Sequence, residues 1–149
     1  MSKVTDIRHA LNTLVQNVLP GYVKLSDSYE TLDNASTLMV KGYSIGFGPA
    51  ERATDEFCPG YIRIRRQFQI ILTNVYTPNL DADYREGLEN SLMDDEFLVL
   101  AALEKDPTLT GENINSFFAV DNGLEYLIDD RKQFIICVIT ASVDYIEEI

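Results

Sequence analysis

Residues 61–77, YIRIRRQFQIILTNVYT, decide how the rest of the chain must be arranged. Ile62, Ile64, Phe68, Ile70 and Leu72 fall on one side, with Arg66 interrupting. Arg63, Arg65, Gln67, Gln69 and Thr73 fall on the other. A period of two, rich in β-branched and aromatic residues, marks a long strand with one face against a core. The opposite face is a polar ribbon carrying positive charge, although the formal net charge of the protein is −12.

Before this strand, residues 36–47 (STLMVKGYSIGF) predict a partner strand, with Met39, Lys41, Tyr43, Ile45 and Phe47 on one face. Glycines at 42 and 46 hint at a bulge or a close backbone approach. Between the two strands, residues 48–60 (GPAERATDEFCPG) predict a long hairpin tip. Long loops on rigid hairpins are often binding elements. Earlier still, Val4, Ile7, Leu11, Leu14, Val15 and Val18 recur at helical steps, with Ser2 or Thr5 as cap and Pro20-Gly21 as stop. Tyr22 to Leu25 predicts a short strand.

Beyond the long strand, Pro78-Asn79 breaks the pattern, and Asp81 or Asp83 can cap a helix through Tyr84, Leu88 and Leu92. A straight continuation would drop Asp95 into the apolar stripe. The spacing of Met93, Asp94 and Leu98 fits a hydrophobic staple, so a second helix is expected from Asp95 to Glu104. Leu98, Val99, Ala102 and Leu103 would face inward, and the acids Asp94-Asp95-Glu96 would serve its first turn. Asp106-Pro107 ends it. A strand over 114–120 follows, then the turn signal Asp121-Asn122-Gly123 and a short strand to Ile128. After the polar break at 129–132, QFIICVITASVDYI reads as a central strand buried on both faces. The order predicts one α+β domain over 1–149: a mainly antiparallel sheet of two hairpins, with two or three helices packed on one face.

Composition narrows the function. Hydrophobic residues at 46% and charged residues at 24% suit an ordinary globular core. Net charge of −12 argues against tight nucleic-acid binding, which needs clustered Lys and Arg against phosphates. No apolar run is long enough for a membrane span, and the N-terminal residues do not read as a signal peptide. The two cysteines, Cys58 and Cys137, have no metal-ligand spacing, so no metal or other cofactor is expected. His9, the single histidine, lies opposite the apolar stripe of its helix, and no phosphate loop or nucleophile motif occurs. Catalysis is not expected.

The helix TDIRHALNTLVQNVLPG, the strand YIRIRRQFQIILTNVY, the helical DADYREGLENSLM and the closing KQFIICVITASVDYI together resemble the tail terminator family of long-tailed bacteriophages, also called tail completion or tail-to-head joining proteins. The likeness is one of pattern over nearly the whole chain, and residues 22–34 are longer than a minimal member needs. It implies a structural virion protein, assembled in the host cytoplasm, whose subunits close into a ring, usually a hexamer. The ring would end tail-tube growth, contact the tail tube protein and the head connector or head-completion protein, and let DNA pass without specific binding. Arg63, Arg65, Gln67 and Gln69 would then face a neighbouring subunit, while Glu51, Arg52, Asp55 and Glu56 on the hairpin tip would reach the tube or the next subunit. Another phage neck or head-completion protein, or a small protein-binding module, is the alternative.

Overall fold

The computed structural model describes residues 3–25, 41–53, 59–76, 82–109, 111, 114–118, 123–128 and 133–149. Its elements run α1 (Lys3–Val18), β1 (Val23–Lys24), β2 (Lys41–Arg52), β3 (Tyr61–Tyr76), α2 (Ala82–Lys105), β4 (Asn115–Phe118), β5 (Gly123–Ile128) and β6 (Gln133–Glu148). The strands form one six-stranded sheet in the order β1-β2-β3-β6-β4, with β5 also on β6. Only β1 runs parallel to its neighbour, β2; every other pair is antiparallel.

Register shows why the alternation of β3 demands this architecture. Phe68 lies between Phe47 and Ala141, Ile70 between Ile45 and Ile139, and Leu72 between Tyr43 and Cys137. All but Phe47 are buried. Onto this face α1 brings Ile7, Leu11 and Val15, and α2 brings Leu92, Val99 and Leu103, completing one cluster. Burying each such side chain stabilises the fold by roughly 1.5–3 kcal/mol relative to exposure. Both helices therefore cover the same side of the sheet, and the fold is α+β as expected. β6, flanked by β3 on one edge and by β4 and β5 on the other, is the central strand that its apolar run requires.

Four local expectations change. Strand β2 does not end at Phe47 but continues to Arg52, because a bulge at Gly48-Pro49 absorbs one residue and pairing resumes at Ala50–Arg66. Residues 36–40, where its start was expected, lie outside the described residues. Secondly, α2 is a single helix with no break at Asp94. Leu98 is exposed, Ala102 is only half-buried, and Met93 and Leu98 make no staple. Thirdly, β4 and β5 do not form a hairpin with each other: both take β6 as partner, β4 along residues 141–144 and β5 along 133–138. Finally, the start of α1 is held from far away in sequence. The backbone amide of Lys3 donates to Glu147 Oε1 at 2.6 Å, placing a carboxylate at the positive end of the helix. Thr5 lies inside the helix, and Ser2 lies outside the described residues.

Gly60 turns the chain into β3 at φ 83°, where a side chain would be strained, and its carbonyl accepts from the Ile149 amide at 2.9 Å. Among the described residues no helix is long and apolar enough to cross a membrane.

Candidate subunit interface

The polar face of β3 lies on the side of the sheet away from the helices. Gln67 and Gln69 are exposed there, opposite Ser142 and Thr140 of β6. Arg65 is committed within the subunit. Its Nε and Nη2 donate to the two carboxylate oxygens of Asp144 at 2.7 and 3.0 Å, and its guanidinium lies 5.1 Å from the Phe117 ring centre. Asp144 is its register partner on β6 and Glu51 its partner on β2. These hydrogen bonds and the nearby negative charge push the Arg65 pKa up. A double hydrogen bond between a planar guanidinium and a carboxylate fixes both side chains. Arg65 is therefore a cross-strand tie here. Arg63, two residues earlier on the same face, is exposed and makes no ion pair among the described residues. Glu51 and Arg52 sit at the exposed end of β2, on opposite faces of the sheet. Asp55, Glu56 and Cys58 lie outside the described residues.

Arg66, the break in the apolar alternation, is explained by the bulge. It projects to the helix side, donates through Nη1 to the Gly48 carbonyl at 2.9 Å and through Nε to Tyr145 Oη at 3.3 Å. Its guanidinium lies 5.6 Å from the Phe47 ring centre, and Arg8 of α1 lies 5.6 Å from the same ring. Phe47 remains 51% exposed between these two cations. The bulge leaves a carbonyl without a ladder partner, and Arg66 supplies the donor.

Midway along α2, Asp95 does fall inside the buried stripe, as a straight helix demands. The fold satisfies it instead of breaking the helix. Tyr22 Oη donates to Asp95 Oδ2 at 2.7 Å, and Lys41 Nζ stands 3.7 Å from the same oxygen. The next residue, Glu96, accepts from Cys137 Sγ at 2.6 Å. The Asp95-Glu96 acids thus tie α2 to the sheet rather than serving a first turn. Burial, then the hydrogen bond to Asp95, pushes the Tyr22 phenol far above its ordinary range. Burial, then the hydrogen bond to Glu96, does the same to the Cys137 thiol. A thiol that keeps its proton is a poor nucleophile. Cys137 is expected to resist iodoacetamide in the native protein at pH 8 and to react once the chain is unfolded, as peptide-resolved mass spectrometry would register. Rapid native labelling would contradict its burial.

Among the described residues, no three His, Cys, Asp or Glu side chains come together to hold a metal ion. His9 is exposed. The chain matches no family model and no curated protein.

What remains as candidate surface is distributed. Along β2, only Gly42 and Tyr43 have a strand partner on the outer edge among the described residues, so the edge from Ser44 to Arg52 is unpaired there. On the helix layer, Met93 and Phe97 are 54% and 67% exposed. Sequence reading placed Glu51 and Arg52 on a hairpin tip and gave Met93 to a helix start, so it missed both the open strand edge and the apolar pair on α2.

Proposed function

We propose that the chain is a structural subunit of a phage tail, assembling into a closed ring at the head-proximal end, where it ends tube polymerisation and joins the tail to the head connector. The observation that carries this reading is that, among the described residues, the outer edge of β2 from Ser44 to Arg52 has no strand partner, on a sheet whose helix side is packed into one core. A strand edge with free amides and carbonyls is a site where another chain docks. Pro49 lacks an amide and the bulge twists the strand, so pairing there is confined to short registers rather than open-ended aggregation. The resemblance in element order supplies the assembly, with a hexamer as its usual form. The net charge of −12 suits the wall of a passage that DNA traverses without binding.

The test is light scattering behind size exclusion over a range of concentrations, repeated with purified tail tubes. The expected result is a discrete ring, in solution or on tube ends only, weakened by Arg63→Glu. Arg65→Glu would also break the Asp144 tie, so the Arg63 substitution is the cleaner probe. A chain that stays monomeric and ignores tube ends at every concentration would overturn this reading in favour of a protein-binding module.

A further inference from the structure

Two stripes on different sides of the subunit match each other in length, charge and apolar content. The first follows the margin of the sheet along β2 and the adjacent flank of α1. Arg8, Asn12, Lys24 and Ile45 line one cleft there, Phe47 continues it, and Arg52 closes it at the far end. Lys24 and Arg52 are exposed, and neither they nor Arg8 pair with a carboxylate among the described residues. Three cations along one margin without a carboxylate partner among the described residues are unexpected when 24 residues are acidic and 12 basic. Asn12 is buried with its side-chain carbonyl unpartnered among the described residues, a group that an incoming surface can satisfy. Lys24 lies beside Tyr43 in register and the bulge takes up one residue, so the distance along β2 to Arg52 is about 27 Å at a strand's rise per residue.

The second stripe is the outward face of α2. Glu86, Met93, Phe97 and Glu104 recur at steps of seven, four and seven residues, which keeps them on one side of a helix. That side lies about 120° around the helix from the buried Leu92, Val99 and Leu103, on the flank of α2 that the core leaves open. Glu86 and Glu104 are both exposed, and at a helix's rise per residue they stand about 27 Å apart. One stripe therefore reads cation, aromatic, cation; the other reads acid, apolar pair, acid, over nearly the same length.

We infer that the β2 margin of one subunit docks on the outward face of α2 of a second copy, with Lys24 and Arg52 meeting Glu86 and Glu104 around Phe47, Met93 and Phe97. Because the two stripes are different surfaces, the contact is head-to-tail, and a head-to-tail contact repeats until it closes into a ring or runs on as a filament. The inference rests on the ring-forming reading above and adds to it the surfaces that mate. The apolar residues supply the area removed from water; the flanking charges set the register and reject other pairings.

Charge reversal on both sides tests it, with mass by light scattering in solution and on tube ends as the readout. Lys24→Glu with Arg52→Glu makes one variant, and Glu86→Lys with Glu104→Lys makes the other. All four positions are exposed, and thermal midpoints would confirm that each variant folds. Each double variant is expected to need about tenfold more protein, or more, to reach the wild-type assembly. A chain carrying all four substitutions should recover assembly, as should an equimolar mixture of the two double variants, which asks only that each one fold. A wild-type ring that survives both reversals, or reversals that neither combination rescues, overturns the docking while leaving the ring. A wild-type chain that forms no ring in solution or on tubes overturns both.

Discussion

Phe68→Ala is expected to cost about 3–5 kcal/mol, because it leaves a cavity at the centre of the layer. Phe68 is fully buried in β3, with Ala141 opposite on β6 and the Phe47 ring 6.5 Å away on β2. Its neighbour on β6 is the smallest residue of the central strand, so that side cannot fill the space. Domains of this size hold roughly 5–15 kcal/mol in total, so the variant would be left close to its unfolding threshold. Ile71→Ala is the control. Ile71 projects to the other face and is only half-buried, so its truncation is expected to cost distinctly less. Urea midpoints at constant slope measure both. Equal losses would mean that the face away from the helices is as tightly packed as the core, contrary to the register described above.

The second large effect is alkaline. Tyr22 and Cys137 hold their protons in the folded chain well beyond the pH at which a free phenol or thiol gives them up, and burial pushes Tyr43 the same way. Once the pH passes about 8.5 for a thiol and about 10 for a phenol, the unfolded chain releases these protons first. The unfolded state then binds fewer protons than the folded one, so stability must fall as pH rises. Below that window the groups are protonated in both states and contribute no pH dependence. Tyr22 and Cys137 together give a limiting slope of about −2.7 kcal/mol per pH unit. Tyr22→Phe deletes one of the two protons. It is expected to start less stable at neutral pH, because Asp95 loses a hydrogen bond and, among the described residues, keeps only Lys41. Above about pH 10 it should nevertheless lose stability less steeply, by about 1.4 kcal/mol per pH unit. Denaturant titrations across that range would decide it, and parallel curves for the two proteins would show that Tyr22 ionises freely in the fold.

The same tie shows where sequence reasoning reaches its limit. An aspartate falling in an apolar helical stripe can be accommodated by ending the helix or by finding it a partner. Local spacing favours ending it, since Met93, Asp94 and Leu98 imitate a helix start. The partners that reverse the choice, Tyr22 and Lys41, are more than fifty residues away along the chain. The bulge is similar. Gly48-Pro49 reads locally as the end of a strand, and only Arg66 reaching back to the Gly48 carbonyl shows that the ladder resumes. Among the candidate interface residues, the exposure of Gln67, Gln69 and Arg63 follows from alternation alone. The capture of Arg65 by Asp144 does not, because it depends on the register between β3 and β6.

By itself, the sequence determined what periodicity carries. The alternation of Tyr61–Tyr76, the apolar run of β6 and the helical spacing of α1 establish a half-buried strand, a central strand and an amphipathic helix. Those three must share one core, which makes the fold α+β. Tertiary structure decided everything that depends on meeting across the chain. It placed β4 and β5 one after the other along the same edge of β6, it kept α2 in one piece, and it bound Glu147 to the start of α1. The physical reason is range. Side-chain periodicity is imposed by neighbours a few residues away, whereas a buried charge, a strand register or a helix cap is settled by whichever distant group arrives to satisfy it.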